Sequence, residues 1–296
     1  MNNTFIRGMI LCIVGASFWG ISGTFGQMLF NEKGFTPDWL VTIRLLIAGI
    51  IMLLISYKKH KTKTFDILKD KKDLIQLLIF SIIGMMAVQY TYFVSITYSN
   101  AATATILQYL GPIIIIIYMS LKNRKLPTPT EFIAVVFAMI GTFLLVTHGD
   151  ITKLAISPKA LIWGISSAFA LAFYTVYPFE LLKKWESSII IGWSMFIGGI
   201  ALSFKQQPWD FTGVFDYKAL LLLGFIIIFG TLIAFFSYLD SLKYIGATRA
   251  SLFSCVEPLS AAFFSIILLN IQFTLMDWIG FICIIATIFI LSTKRS

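Results

Sequence analysis

Ten long apolar segments fill most of this chain of 296 residues and constrain its fold more than any other feature. Each is close to the roughly 20 apolar residues that an α-helix needs to cross the hydrocarbon core of a bilayer. The predicted segments are 8–30, 39–57, 74–97, 101–121, 131–147, 159–180, 187–204, 218–242, 247–269 and 275–292. Because lipid cannot hydrogen-bond to a backbone, we predict an all-α integral membrane protein with ten transmembrane helices.

The composition excludes an ordinary aqueous domain. Hydrophobic residues make up 58% of the chain and charged residues 12%, whereas soluble domains are about 25% charged. The cysteines Cys12, Cys255 and Cys283 lie within apolar segments and form no C-x-x-C pair. We therefore interpret them as packing residues rather than as a disulfide framework. We predict neither a metal nor a cofactor.

The basic residues indicate how the chain is oriented. If successive connections alternate between the two sides of the membrane, most of the 23 lysines and arginines lie on the side that carries both termini. The positive-inside rule assigns that side to the cytoplasm. We predict a multi-pass protein of a bacterial cell membrane, with both termini cytoplasmic. The basic run at 58–72 is then an anchor near anionic lipid, and no nucleic-acid partner is expected.

The chain also repeats itself with an offset of 146 residues. Residues 98–112 (YSNAATATILQYLGP) align without a gap with residues 244–258 (YIGATRASLFSCVEP). Five helices is an odd number, so a second unit of five enters the membrane from the opposite side. We therefore predict two inverted five-helix repeats, 1–150 and 151–296, a construction that places a transporter's substrate site near the midplane between the repeats.

Several motifs in this order are similar to those of a known family. They are ASFWGISGTFGQ in the first segment, the lone arginine of VTIRLLIAG in the second, the duplicated tyrosine-to-proline unit and EPLSAAF in the ninth. Over essentially its whole length the chain resembles the EamA type of the drug/metabolite transporter superfamily. The resemblance implies that each predicted repeat is an EamA-like unit and that the protein carries small organic molecules.

A carboxylate at membrane depth is the sharpest candidate for function, because such groups usually face a cavity or a partner. Glu257 is the eleventh residue of the predicted ninth helix and precedes Pro258. The counterparts in the first half are Gly111 and Pro112, and both prolines are predicted to break their helices. Glu257 is interpreted either as a proton carrier or counter-ion for an amine, or as a structural carboxylate. The structural alternative includes pairing with Arg44.

Arg44 and a set of aromatic and amide side chains are the predicted substrate-binding residues. Arg44 could bind a carboxylate in bidentate fashion, hold helix carbonyls or extend outward. Tyrosine and glutamine form hydrogen bonds without a permanent charge, and aromatic rings stack on flat or cationic ligands. The other members of the set are Trp19, Gln89, Tyr90, Tyr92, Gln108, Tyr109, Tyr174 and Tyr177.

Together these features predict a secondary transporter that moves small organic metabolites by alternating access through a central aromatic and polar cavity. The resemblance makes efflux of amino acids or related compounds the first expectation. The alternative is a proton-coupled multidrug or organic-cation exporter that uses Glu257. No Walker A, H-E-x-x-H or G-x-S-x-G pattern occurs, so we predict neither ATP-driven transport nor an enzyme. The expected partners are a small-molecule substrate and the lipid bilayer, and the expected state is a monomer or homodimer.

Overall fold

The computed structural model describes residues 3–124, 126–147, 157–269 and 274–292, which are helical apart from short connections. The helices are α1 (Asn3–Lys33), α2 (Pro37–His60), α3 (Lys63–Asp66), α4 (Lys71–Ile79), α5 (Ala87–Tyr98), α6 (Ala101–Gln108), α7 (Gly111–Asn123), α8 (Pro129–Thr147), α9 (Pro158–Val176), α10 (Phe179–Lys184), α11 (Ser187–Ser203), α12 (Tyr217–Ile227), α13 (Ala234–Phe253), α14 (Val256–Leu269) and α15 (Leu275–Ser292). Two π-helical segments continue this series, π1 (Phe80–Met86) before α5 and π2 (Ile228–Ile233) before α13.

Six helical stretches in the described residues, several of them made of more than one helix, are long and apolar enough to cross a membrane. They are Asn3–Lys33, Pro37–His60, Lys71–Tyr98, Ala101–Asn123, Pro158–Lys184 and Tyr217–Phe253. Shorter apolar helices lie at Pro129–Gly141, Ser187–Ser203 and Val256–Leu269. The all-α prediction is confirmed, and every predicted apolar segment coincides with helix. The predicted boundary between repeats, at residues 150 and 151, lies outside the described residues.

The fourth and ninth predicted helices are each interrupted, and each interruption lies just before the proline that was expected to break the helix. The backbone leaves α6 at Gln108 and resumes as α7, while a second break separates α13 from α14. Pro112 and Pro258 lie in the first turns of α7 and α14, where backbone N–H groups have no partner within the helix. The prolines therefore begin new helices instead of kinking long ones, and Glu257 lies at a helix start.

The 146-residue offset seen in the sequence recurs in the architecture. Shifting π1 by 146 residues gives 226–232, which overlaps π2, and the two helix breaks correspond to within one residue. Packing follows the same relation: α1 contacts α13 and α14, whereas α9, its counterpart, contacts α5, α6 and α7. The counterpart pairs α2 with α11, and α8 with α15, pack directly on each other. Each half therefore supplies a helix to the other half's broken pair.

One end of the bundle is fastened by ion pairs between the α1–α2 connection and the segment around the α11–α12 connection. The pairs are Lys33–Asp216 at 2.5 Å, Lys218–Glu32 at 2.6 Å and Lys205–Asp38 at 2.7 Å. The indole nitrogen of Trp39 also donates a hydrogen bond to the carbonyl oxygen of Pro208 at 2.8 Å. Residues from opposite halves of the sequence thus close this end.

The opposite end is joined through Asp73, in the first turn of α4. Its carboxylate accepts hydrogen bonds from Lys184 Nζ at 2.9 Å and from Trp185 Nε1 at 2.8 Å. Asp73 is buried, and Lys184 and Trp185 lie where α10 leads into α11. This contact connects the third and sixth predicted helices.

Candidate functional site

A small buried cavity of about 30 Å³ lies where helices from both halves of the sequence converge. It is lined by Trp19, Ser22, Arg44, Val88, Gln89, Tyr92, Phe93, Gln108, Leu171, Phe235 and Glu257. One water molecule needs roughly 10–15 Å³ of such volume. The cavity therefore has room for two or three waters in this conformation, and a larger occupant requires the helices to separate.

The cavity brings together six of the residues selected from the sequence. They are Trp19 on α1, Arg44 on α2, Gln89 and Tyr92 on α5, Gln108 on α6 and Glu257 on α14. Each of these side chains is at most 8% exposed. Residues chosen as polar or aromatic groups at membrane depth thus converge from five separate helices.

Glu257 faces this cavity without a protein partner. It lies in the first turn of α14 and is 2% exposed. Within the described residues its carboxyl group makes no hydrogen bond or ion pair, and the pairing with Arg44 considered from the sequence is not formed. The partial positive charge of the α14 N-terminus favours a carboxylate here, but a buried carboxylate without an opposite charge is costly.

Three further polar atoms of the cavity wall have no hydrogen-bond partner in the part of the chain that the structure describes. They are Trp19 Nε1, Ser22 Oγ and Gln89 Oε1, and all three are buried. Most buried polar groups in folded proteins are paired, and each unmet one costs about 1–3 kcal/mol. Trp19 therefore keeps an unsatisfied donor, and Gln89 an unsatisfied acceptor, on residues that line the cavity.

Arg44 is largely occupied by its own protein. Its Nε donates a hydrogen bond to Thr231 Oγ1 at 2.7 Å, and its Nη2 donates one to the carbonyl oxygen of Gly230 at 2.9 Å. Both acceptors belong to π2, and the guanidinium also lies 4.8 Å from the centre of the Phe93 ring. Only Nη1 is left without a partner among the described residues. Arg44 thus ties α2 to π2 and keeps one donor for the cavity.

Besides Arg44, and Gln89, whose Nε2 donates to the carbonyl oxygen of Met85 at 3.2 Å, two more of the six residues in the cavity are already hydrogen-bonded. The hydroxyl of Tyr92 lies 2.8 Å from Thr105 Oγ1, and Gln108 Nε2 donates to Ser167 Oγ at 2.6 Å. These bonds hold α5 to α6 and α6 to α9. Tyr92 and Gln108 therefore fix the shape of the cavity wall, while Glu257 and the unpartnered polar atoms are the groups that can bind a solute.

Four predicted residues lie away from the cavity, two of them at other contacts between helices. Tyr90 accepts a hydrogen bond from Lys205 at the end of the bundle closed by ion pairs. Tyr109 donates one to Ser254 Oγ at 3.2 Å, joining the break in the fourth predicted helix to the break in the ninth.

The other two pack among aromatic rings. Tyr174 is fully buried, stacks on Phe80 of π1 with ring centres 5.5 Å apart, and has a hydroxyl with no partner in the described part of the chain. Tyr177 stacks on Phe173 at 4.5 Å and lines an apolar groove between α7 and α9. Neither side chain is brought to the cavity in this conformation.

Five lining residues were not selected from the sequence. They are Ser22, Val88, Phe93, Leu171 and Phe235. A helical signal was available for two of them, since Ser22 follows Trp19 by three residues and Phe93 follows Gln89 by four, spacings that place side chains on one helix face. The apolar residues carry no comparable signal, because most apolar side chains in such a chain face lipid or a neighbouring helix.

Comparisons with known proteins identify the family. The model of the EamA-like transporter family matches residues 6–147 and 158–293. The protein named "Uncharacterized inner membrane transporter YicL" from Salmonella typhimurium is 42% identical over 287 residues, covering 97% of this chain and 95% of that protein. "Uncharacterized transporter YwfM" from Bacillus subtilis is 24% identical over 272 residues, covering 92% of this chain and 88% of the relative.

A solved crystal structure of a protein shares the fold, with a TM-score of 0.73 and 13% sequence identity. The match covers 99% of this chain and 97% of that one. The apolar helices and the family match agree on a helical protein of the membrane. The chain belongs to the EamA-like transporter family.

Proposed function

We propose that this transporter is a secondary carrier that moves a small amine-containing metabolite by alternating access, with its binding site at the cavity around Glu257. The proposal rests on one observation: the residues that line the cavity include both acceptors without a donor and donors without an acceptor. Gln89 Oε1 lacks a donor and Trp19 Nε1 lacks an acceptor, while in the described residues no hydrogen bond is formed by the carboxyl group of Glu257 or by Arg44 Nη1. A solute with an ammonium group and a carboxylate satisfies both.

An amino acid or a related compound meets these needs best. Its ammonium group would lie against Glu257 and Gln89, and its carboxylate would accept hydrogen bonds from Trp19 and Arg44. Hydrogen bonds to charged groups are each worth about 1.5–3 kcal/mol. The rings of Trp19 and Phe235, whose centres are 4.8 Å apart, add an apolar wall for the rest of the solute. Efflux remains the expected direction, by family resemblance.

Alternating access is supported by the size of the cavity and by the architecture. Pockets that bind small molecules are typically 300–1,000 Å³, about ten to thirty times the cavity seen here, so binding requires the helices around it to move apart. Broken helices at membrane depth and counterpart helix pairs are typical of carriers built from inverted repeats. We therefore propose that 1–150 and 151–296 are two inverted EamA-like repeats that exchange conformations during transport.

A proton-coupled exporter of organic cations is the second candidate, and the geometry of Arg44 favours it. Two of the three guanidinium nitrogens are held by π2. Glu257 is then an acidic group without a protein partner on the cavity wall of the described structure, and it could bind a proton or a cation in turn. Cation–π attraction to Trp19 would contribute about 0.5–2 kcal/mol.

Uptake into proteoliposomes tests both candidates. The panel contains aromatic and aliphatic amino acids, choline-like cations and a lipophilic dye, each with and without an imposed pH gradient. Saturable flux of amino acids supports the first candidate. Flux of cations that requires the pH gradient supports the second, and the absence of flux for the whole panel contradicts an amine-recognising carrier.

A further inference from the structure

A second concave surface lies outside the cavity, between α7 and α9. This groove has a volume of about 280 Å³ and shares no lining residue with the cavity. It is lined by Ile114, Ile115, Tyr118, Phe169, Ala172, Phe173, Val176 and Tyr177. Phe169 is 59% exposed and Tyr118 is 46% exposed, so the groove opens on the outer surface of the bundle. We refer to it as the α7–α9 groove.

The groove exists because small and stacked side chains leave space between the two helices. Ala172 offers only a methyl group, and Phe173 stacks on Tyr177 instead of crossing to α7. The helix α9 ends at Val176, and Pro178 follows before α10 begins. Six of the eight lining side chains are hydrocarbon throughout, and the groove lies within two of the stretches long and apolar enough to cross a membrane. Its surroundings there are lipid chains rather than water.

Basic side chains mark one end of the α7–α9 groove. Lys122, one helical turn beyond Tyr118, places its Nζ 5.8 Å from the centre of that ring. Within the described residues Lys122 makes no ion pair. Lys183 lies near the same end, where its Nζ is 2.8 Å from Glu180 and 4.9 Å from the centre of the Phe179 ring. Lys122 also acts electrostatically on Glu180, which places these groups in one neighbourhood.

We propose that the α7–α9 groove binds an anionic phospholipid, with one acyl chain in the groove and the phosphate beside Lys122. Hydrocarbon lining at membrane depth suits an acyl chain, and an unpaired lysine at the end suits an anionic head group. Basic pockets between membrane helices bind anionic lipids on this basis, with about 1 kcal/mol from each lysine near the surface. Tyr118 and Tyr177 supply amphipathic rings of the kind that lie at head-group level.

Photocrosslinking of the purified full-length protein tests the groove. The probe is phosphatidylglycerol with a diazirine on one acyl chain, added to delipidated protein in detergent, and the crosslinked residues are located by mass spectrometry. We expect crosslinks to concentrate at 114–118 and 169–177. Val176→Phe fills the groove and should lower this labelling several-fold, while Val14→Phe, on the lipid-facing surface of α1, should leave it unchanged. Labelling spread evenly around the bundle overturns the proposal.

Competition tests the head group. Unlabelled phosphatidylglycerol should displace the probe better than phosphatidylcholine, and Lys122→Gln should reduce that preference about fivefold. Lys59→Gln, an exposed basic residue at the end of α2, is the matched control and should have no effect. Equal competition by the two lipids, or an unchanged preference in Lys122→Gln, contradicts an anionic lipid. Because Lys122 is exposed, this variant is expected to fold even if Val176→Phe does not.

Discussion

Glu257 owes its position to a break in the chain just before it. The sequence predicted a carboxylate near mid-membrane, with a helix break at the next residue, Pro258. The structure ends α13 at Phe253 and restarts the chain as α14, so Glu257 is in a first turn that faces the cavity. The residues at the break, Ser254 and Cys255, carry no glycine or proline signal, and Pro258 indicated only that a break lies nearby. The sequence therefore predicted the carboxylate at this depth, but it did not predict the backbone conformation that places the carboxylate in the first turn of a helix.

Trp19→Phe separates the two candidate substrates. It removes the unpartnered Nε1 but keeps an aromatic ring against Phe235. If that N–H donates to a substrate carboxylate, amino-acid affinity should fall by about tenfold or more, because hydrogen bonds to charged groups are worth about 1.5–3 kcal/mol. Choline-like cations have no carboxylate and should lose much less affinity, only the difference in cation–π attraction between an indole and a phenyl ring. Concentration-dependent uptake measures both, and an equal loss for both substrates contradicts this role.

Arg44→Met tests whether Arg44 is a structural support for π2. The change leaves the carbonyl oxygen of Gly230 without its donor and should destabilise the protein by about 1–3 kcal/mol. Arg44→Lys can still reach one acceptor and should lose less. Unfolding in mild detergent measures the difference, with the exposed Arg7→Met as the control. If Arg44→Met is as stable as the control, the contacts with π2 do not support the fold.

At the scale of the helices, the close contact of α1 with α14 brings Trp19 beside Glu257. Gly20 makes this approach possible: a β-carbon there would lie 2.7 Å from the backbone nitrogen of Ala261 and 2.8 Å from Ser260 Cβ. One turn further, Thr24 Oγ1 donates to the carbonyl oxygen of Ala261 at 3.3 Å. Small residues allow such backbone contact between membrane helices.

Gly20→Ala should therefore push α1 away from α14. Overpacking of this kind costs about 1–3 kcal/mol, and uptake should fall because the cavity wall shifts. Gly224→Ala is the matched control, since a β-carbon at Gly224 meets no atom within 4 Å. That change should stabilise α12 by up to about 1 kcal/mol. Unfolding in detergent measures both, and equal effects of the two changes contradict the packing argument.

The positions of the helices were predictable from the sequence, but their internal irregularities and inward-facing sides were not. Long apolar runs predicted where helices lie, because crossing a membrane demands length and hydrophobicity regardless of neighbours. The same runs hid π1 and π2, since one extra residue in a helical turn leaves an apolar pattern unchanged. Tyr174 and Tyr177 were grouped with the cavity because the face that a helix turns inward depends on its packing partners, which a single sequence does not show.

For the whole molecule, the ion pairs at one end connect opposite halves of the chain. Lys33 donates a hydrogen bond to Asp216 and holds the pKa of that carboxyl below its ordinary value. Asp216 also accepts a hydrogen bond from the backbone nitrogen of Ala219 at 2.8 Å and so begins α12. A carrier that opens this end must break such contacts, so they set part of the balance between closed and open conformations.

This arrangement predicts an acid-sensitive closure. A carboxyl group with a lowered pKa contributes stability that is present above the ordinary aspartate pKa of about 4 and is lost as pH falls through its folded value. Stability in detergent should therefore decline below about pH 4, and Asp216→Asn should flatten that decline. High salt should weaken the contribution as well. Asp66→Asn, whose partner Lys69 is three residues away, is the control, and identical pH profiles for wild type and Asp216→Asn contradict the prediction.

The central claim is that Glu257 recognises the amine of the transported solute. The most direct test is uptake of amino acids and choline-like cations by Glu257→Gln in proteoliposomes, beside wild type and the exposed control Glu180→Gln. We predict a loss of uptake of at least tenfold for Glu257→Gln with the fold retained, because the neutral amide cannot balance a buried ammonium group. Uptake equal to that of Glu180→Gln would contradict the claim and make Glu257 a structural residue.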